Sequence, residues 1–210
     1  MQIAILGTGN VGAALGQRWA AAGHDIVFGV RQPGAAKVAA VVRQAGARAR
    51  AAAVREAAAG AAVVVLAIPF GAAEQAITEC GNLAGKIVID CNNPLVPDLG
   101  GLTVGHTDSA GETVARWAKG ARVVKTLNTT GSGNMLDPRY GRESLSMFLC
   151  GDDADAKKVV TGLVAELGFE PVDAGPLKQA RYLEPLAMLW ISMAYQFGQG
   201  PNFGFRVVRR

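Results

Sequence analysis

Residues 2–34 read "QIAILGTGNVGAALGQRWAAAGHDIVFGVRQPG", and this stretch sets the architecture of the chain. Residues 3–6 are a short unbroken apolar run, the form taken by a strand buried on both faces. Gly7, Gly9 and Gly12 follow at G-x-G-x-x-G spacing. In that motif the first glycine permits a tight turn, the second lets backbone approach a pyrophosphate, and the third lets the next helix pack closely on the strand. Val11, Leu15 and Trp19 then recur at every fourth position, so a helix begins inside the motif. Its N-terminal N–H groups point toward phosphate, which makes Gly7, Thr8, Gly9, Asn10, Val11 and Gly12 the expected dinucleotide-binding loop. Residues 25–29 supply a second strand and complete a strand–helix–strand unit.

In such units the second strand ends beside the adenosine ribose, where an Asp or Glu accepts hydrogen bonds from the 2′-OH. Here Gly29 is followed by Val30, Arg31, Gln32 and Pro33. A guanidinium leaves a plain ribose unpaired but matches a 2′-phosphate through charge-assisted bonds. Arg31 therefore points to NADP(H), with the Thr8 hydroxyl as a further donor to the same phosphate.

The apolar runs recur at residues 62–68, 86–90, 122–127, 145–150 and 169–172, with helical stretches between most of them. This alternation predicts an α/β fold, a Rossmann-type doubly wound parallel sheet with a short C-terminal helical segment. We assign residues 1–175 to the NADP-binding domain. Residues 176–210 form a segment that covers the substrate and contributes a dimer contact, because its apolar side chains, Met188 to Phe197, exceed what one helix can bury beneath itself.

Ligands of such sheets bind at the carboxyl ends of the strands. Three loops lie there: "AIPF" at 67–70, "CNNPL" at 91–95 and "LNTTGSGNM" at 127–135. Ala67, Ile68, Pro69, Asn93, Pro94 and Leu95 offer backbone groups and apolar surface for a nicotinamide ring. Asn128, Thr129 and Thr130 offer neutral hydrogen-bonding groups for a second ligand, a small-molecule redox acceptor.

Composition narrows the function. A net charge of +4 with few aromatics suits anionic cofactors and predicts no nucleic-acid partner. The first strand starts at about Gln2, leaving no room before it for a signal peptide, and residues 186–197 are too short to span a bilayer. A cytoplasmic protein without membrane contact is expected. Cys80, Cys91 and Cys150 are widely spaced and read as small core residues, with neither a zinc site nor a disulfide framework. His24 and His106 read as structural, and Asp152 or Asp153 as a helix cap. None of Tyr140, Tyr182 and Tyr195 has a lysine four positions on, so the acid/base pair of short-chain dehydrogenases is missing. No side chain is assigned a catalytic role. Hydride transfer to a flavin-like ring fits best, since two stacked rings need only be positioned.

The residues resemble a known family, the NADP oxidoreductases that depend on the deazaflavin coenzyme F420, with the related reductase domains of metalloreductases. The resemblance is carried by "GTGNVG", Arg31, "AIPF", "NPLVP", "RVVKTLNT", "CGDD" and "DAGPL..AR.LE". It implies a homodimer in which NADP lies across the strand ends and F420 covers the nicotinamide. It also implies a histidine in the loop that here reads Leu127-Asn128-Thr129-Thr130, and a serine where this chain has Val30. FMN or FAD are accordingly alternative acceptors. An NADP-sensing regulator without turnover and an NADPH-dependent imine or small-carbonyl reductase are the rival readings.

Overall fold

The computed structural model describes residues 1–210. The opening unit is β1 (Gln2–Leu6), α1 (Asn10–Ala21) and β2 (Asp25–Gly29). β1 and β2 pair in parallel, from Gln2 opposite Asp25 to Leu6 opposite Gly29. Side chains alternate across the sheet as a strand requires. Ile3 and Ile5 join Leu15 and Trp19 of α1 on one face, while Ala4 and Leu6 enter a second core on the other. Gly16 of α1 rides over Phe28, whose ring carbon would stand 2.3 Å from an added Cβ, so helix and strand come closer there than any side chain would allow.

Next come α2 (Ala36–Ala45), the edge strand β3 (Ala49–Ala52), α3 (Val54–Gly60) and β4 (Val63–Leu66). α4 (Ala73–Cys80), β5 (Ile87–Asp90), α5 (Ala110–Trp117) and β6 (Arg122–Thr126) follow. α5 begins at Ala110 because Ser109 caps it: the Ser109 Oγ accepts from the Glu112 N–H at 3.1 Å and donates to the Glu112 carboxylate at 2.7 Å. α6 (Ser132–Leu136), the small hairpin β7 (Arg139–Tyr140) and β8 (Glu143–Ser144), β9 (Ser146–Gly151), α7 (Ala154–Glu166), β10 (Glu170–Asp173) and α8 (Ala180–Ile191) complete the elements.

The main sheet has eight strands in the order β10-β9-β6-β5-β4-β1-β2-β3. β4 lies on the far side of β1 from β2, so strand order reverses beside the glycine loop. The sheet is α/β and doubly wound, but not wholly parallel. β9 runs antiparallel to β6, and β10 is parallel to β9, so both oppose the other six strands. A parallel neighbour for β6 would need a crossover that returns the chain to the starting end of the sheet. α6 is only five residues long, a rise of about 7.5 Å. The chain therefore re-enters the sheet from the end it left.

The C-terminal segment is less helical than the sequence suggests. After α8 a π-type turn spans Ser192–Gln196, and residues 197–210 form no regular element. They fold back as a strap. Phe203 O accepts from the Trp190 indole at 3.0 Å, and Phe205 O accepts from Ser146 N–H at 3.0 Å. Trp190, Ile191 and Ala194 are thus buried against Leu95, Leu99, Phe203 and Phe205 of their own chain. Part of the apolar surface expected to face a second subunit is covered internally. Tyr182, Leu189, Tyr195 and Phe197 stay exposed.

Candidate functional site

The carboxyl ends of β1, β2, β4, β5 and β6 open on one side of the sheet, and the site is assembled there. Gly7 leaves β1 with φ +106°, and a Cβ on it would sit 2.5 Å from the Ala67 carbonyl oxygen. Gly12 is equally constrained, because a Cβ would lie 2.2 Å from the Gly7 carbonyl oxygen. Gly9 differs: nothing stands within 4 Å of where its Cβ would be. Two glycines are therefore required by the protein's own packing, and the third faces open space. No side chain caps the start of α1 and no acid lies in its first turn. Its leading N–H groups are unclaimed, the arrangement that attracts phosphate.

A cleft of about 710 Å³ is lined by Ile68 and Pro69 after β4, by Gly7 and Thr8 after β1, and by Arg31 and Lys37 beyond β2. Gln75, Ala76 and Glu79 of α4 form its opposite wall. Several surface arginines are paired, Arg48 with Asp25, Arg50 with Glu56 and Arg116 with Asp108. Arg31 and Lys37 are both exposed and form no ion pair. Lys37 was not among the residues the sequence singled out. Its signal is its place in the first turn of α2, where a cation opposes the helix dipole unless an anion is bound nearby.

The loops after β5 and β6 are laced together. Asn93 Nδ2 donates to the Asn128 carbonyl at 2.9 Å, and Asn128 Nδ2 donates to Asn93 Oδ1 at 3.0 Å and to the Leu183 carbonyl of α8 at 3.2 Å. Leu127, buried just before this contact, holds φ at +60°, a left-handed conformation that a branched side chain adopts only under constraint. Asn128 and Thr129 are buried, and the Thr129 hydroxyl faces Met147 Sδ at 3.7 Å. Thr130 accepts from Asn134 Nδ2 at 2.8 Å. Asn134 also donates to Phe203 O and accepts from the Tyr140 hydroxyl, which ties this loop to the C-terminal strap. An outward row of free polar groups at residues 128–130 is therefore not what forms; these side chains hold the loop itself. Two buried amide atoms on the same loops lack any partner, Asn92 Nδ2 and Asn128 Oδ1.

Beneath the loops lies a buried charge network that sequence reading missed. Lys125 of β6, opposite Asp90 in the register, is fully buried. Its ammonium lies 2.9 Å from Asp90 Oδ2 and 2.9 Å from Glu184 Oε1 of α8, and it also donates to the Asn92 carbonyl. Glu184 accepts in addition from the N–H groups of Ala110 and Gly111 at 2.9 and 3.0 Å, the start of α5. Burial works against the lysine charge, but the two carboxylates outweigh it and hold the ammonium above its usual range. Burial pushes the Glu184 carboxyl upward, opposed by Lys125 and the two backbone donors. The available signal was the in-register pair of a lone lysine in "RVVKTL" and the aspartate ending "KIVID".

The remaining signature residues are clasps. Asp152 accepts from Leu177 N–H at 2.8 Å, and Asp153 caps α7 through Ala156 N–H at 2.7 Å. Asp173 turns on itself through Gly175 N–H and binds Lys157. Arg181 of α8 grips both carboxylate oxygens of Glu112 at 2.8 and 2.7 Å. His24 joins Glu166 of α7 at 2.7 Å, far from the cleft. Burial pushes the Cys80 thiol up to about 11 and the Cys150 thiol up to about 12, which leaves both unreactive core groups.

Comparison with known proteins agrees with this arrangement. The family model described as NADP oxidoreductase, coenzyme F420-dependent, matches residues 2–94. The F420-dependent NADP reductase of Methanothermobacter marburgensis is 30% identical over 207 residues, covering 92% of each chain. Metalloreductase STEAP3 of Rattus norvegicus is 29% identical over 191 residues, which are 90% of this chain and 37% of that protein. A crystal structure of a candidate F420-dependent NADP-reductase from Arthrobacter sp. FB24 superposes with a TM-score of 0.91 at 37% identity, over the whole of both chains. No helix here is long and apolar enough to cross a membrane. This chain belongs to the coenzyme F420-dependent NADP oxidoreductase family and is an NADP-dependent oxidoreductase.

Proposed function

We propose that the chain transfers a hydride directly between the nicotinamide of NADP(H) and a deazaflavin ring, coenzyme F420. The observation that carries the cofactor half is the pair of unpaired cations, Arg31 and Lys37, in the same cleft as the glycine loop. The acceptor half rests on the F420-dependent reductases to which the chain is similar over almost its whole length.

When bound, the two coenzymes supply the redox chemistry. With both bound, a hydride would move between the nicotinamide and the acceptor ring, with the accompanying proton exchanged with solvent rather than with a side chain. The protein's part is to bind, orient and exclude water. The glycine loop and α1 hold the pyrophosphate, while Arg31, Lys37 and Thr8 take the 2′-phosphate. Ile68, Pro69, Pro94 and Leu95 give the nicotinamide an apolar slot, and Ala67 and Asn93 contribute backbone and amide groups at its edge. Asn128, Thr129 and Thr130 keep the acceptor-side loop in shape. Holding two rings at reacting distance removes much of the barrier without a proton-transferring side chain. The functional unit is a homodimer, joined through the exposed Tyr182, Leu189, Tyr195 and Phe197 around α8.

The test is NADPH consumption, followed by its absorbance, on addition of F420, FMN, FAD or a cyclic imine. Oxidation with F420 well ahead of the others is the expected result. No oxidation with F420 overturns the proposal, and oxidation with the imine alone replaces it by the imine-reductase reading.

A further inference from the structure

Lys125, Asp90 and Glu184 form a charge network with almost no exposed surface, and none of the three lines the cleft. Stability alone does not account for it. Burying an ion pair removes both charges from water, and well-packed apolar side chains of similar volume commonly do as well or better. What a lysine does that an apolar residue does not is bind three oxygens from three segments at once. Here those are Asp90 at the end of β5, the Asn92 carbonyl in the loop that follows, and Glu184 in α8.

α8 touches the other loop as well. The residue before Glu184 is Leu183, whose carbonyl accepts from Asn128 Nδ2. Two successive residues of the C-terminal helix thus hold the two loops after β5 and β6, one through Lys125 and one directly. Those loops bond to each other through Asn93 and Asn128, and Leu127 sits in its left-handed conformation at the start of the second. Such a conformation persists only where its surroundings over-determine it. Glu184 is itself fixed to the start of α5 by two backbone donors, so the anchor is rigid.

We infer that Glu184 is a positioning residue for hydride transfer: acting through Lys125, it fixes the loop at residues 91–95 and so sets the shape of the nicotinamide slot. The inference rests on the NADP(H) reading above. It assigns the adenosine half of the site to β1, β2 and α4, and the nicotinamide half to an anchor in the C-terminal segment.

Calorimetric titration of NADPH and of 2′,5′-ADP against wild type, Glu184→Gln and Glu184→Asp separates the two halves. In the wild type NADPH binds more tightly than 2′,5′-ADP because the nicotinamide half adds contacts. In Glu184→Gln the affinity for 2′,5′-ADP stays within about twofold of wild type, while the advantage of NADPH shrinks by about tenfold, the scale of a lost charge-assisted contact. Glu184→Asp keeps the charge but draws it back, and should fall between the two; if the Gln variant does not fold, the Asp variant carries the comparison. An unchanged NADPH advantage in the variants overturns the inference, as does an equal loss for both ligands, which marks a merely structural role. A wild type that binds neither ligand overturns the NADP(H) reading itself.

Discussion

Arg31 and Lys37 stand alone at the mouth of the cleft, and their chemistry makes the most direct residue-level prediction. A hydrogen bond to a charged group contributes roughly 1.5–3 kcal/mol, or about ten- to a hundred-fold in affinity. Arg31→Ala should weaken NADPH binding by that factor and leave NADH binding nearly unchanged. Lys37→Ala should act in the same direction, more weakly, since an ammonium is a point charge without the fork geometry of guanidinium. Fluorescence titration of both cofactors checks both variants, and equal NADPH and NADH affinities in the wild type would remove the basis for either. Asn128→Ala deletes the bonds to Asn93 and Leu183 that hold a strained turn. Turnover should drop by about ten- to a hundred-fold through misplacement, with NADPH affinity much less affected. Arg31 was legible because its position relative to β2 is set by the motif alone. Lys37 was not, because only the turn into α2 brings it back to the same cleft.

At the scale of elements, α5 and α8 are joined by the Glu112–Arg181 pair, both partners largely buried at 20% and 23% side-chain exposure. The Arg181 hydrogen bonds hold the Glu112 carboxyl below the usual glutamate range. A depressed carboxylate pKa contributes stability that is present above the unfolded value, about 4.3, and is lost as pH falls through the folded one. Glu112→Gln should therefore lower stability at neutral pH by no more than about 1 kcal/mol, the scale of a solvent-screened pair, with the gap to wild type closing in acid. Urea denaturation of both proteins at neutral pH and near pH 3 reads this directly; a gap that persists unchanged in acid would count against it. The parallel strands were legible because unbroken apolar runs such as "AVVVLAI" have few other uses. The reversal of β9 and β10 was not, since direction depends on how far a connector travels and not on the strand's own pattern. The role of "CGDD" and "DAGPL" was opaque for a related reason: Asp152 and Leu177 are distant in sequence and meet only when β9 and α8 are in place.

For the molecule as a whole, Tyr182 and Leu189 along α8, with Tyr195 and Phe197 just beyond it, are between 52% and 74% exposed. So much apolar surface on a chain of 21.7 kDa favours self-association, and sedimentation at micromolar concentration should show a dimer. A species of 21.7 kDa alone would refute it. The strap that folds over Trp190 shows why sequence overstated this face: a helix pattern does not reveal that the chain doubles back to cover its own apolar residues. In the proposed reaction the protein transfers a hydride by positioning two rings, with no side chain relaying the hydrogen. Single-turnover reduction of F420 with NADPH deuterated at the transferable position of the nicotinamide tests it most directly. Deuterium should arrive on the acceptor ring without dilution by solvent hydrogen. Reduced acceptor carrying solvent hydrogen in that position, or no reduction at all, would contradict direct transfer.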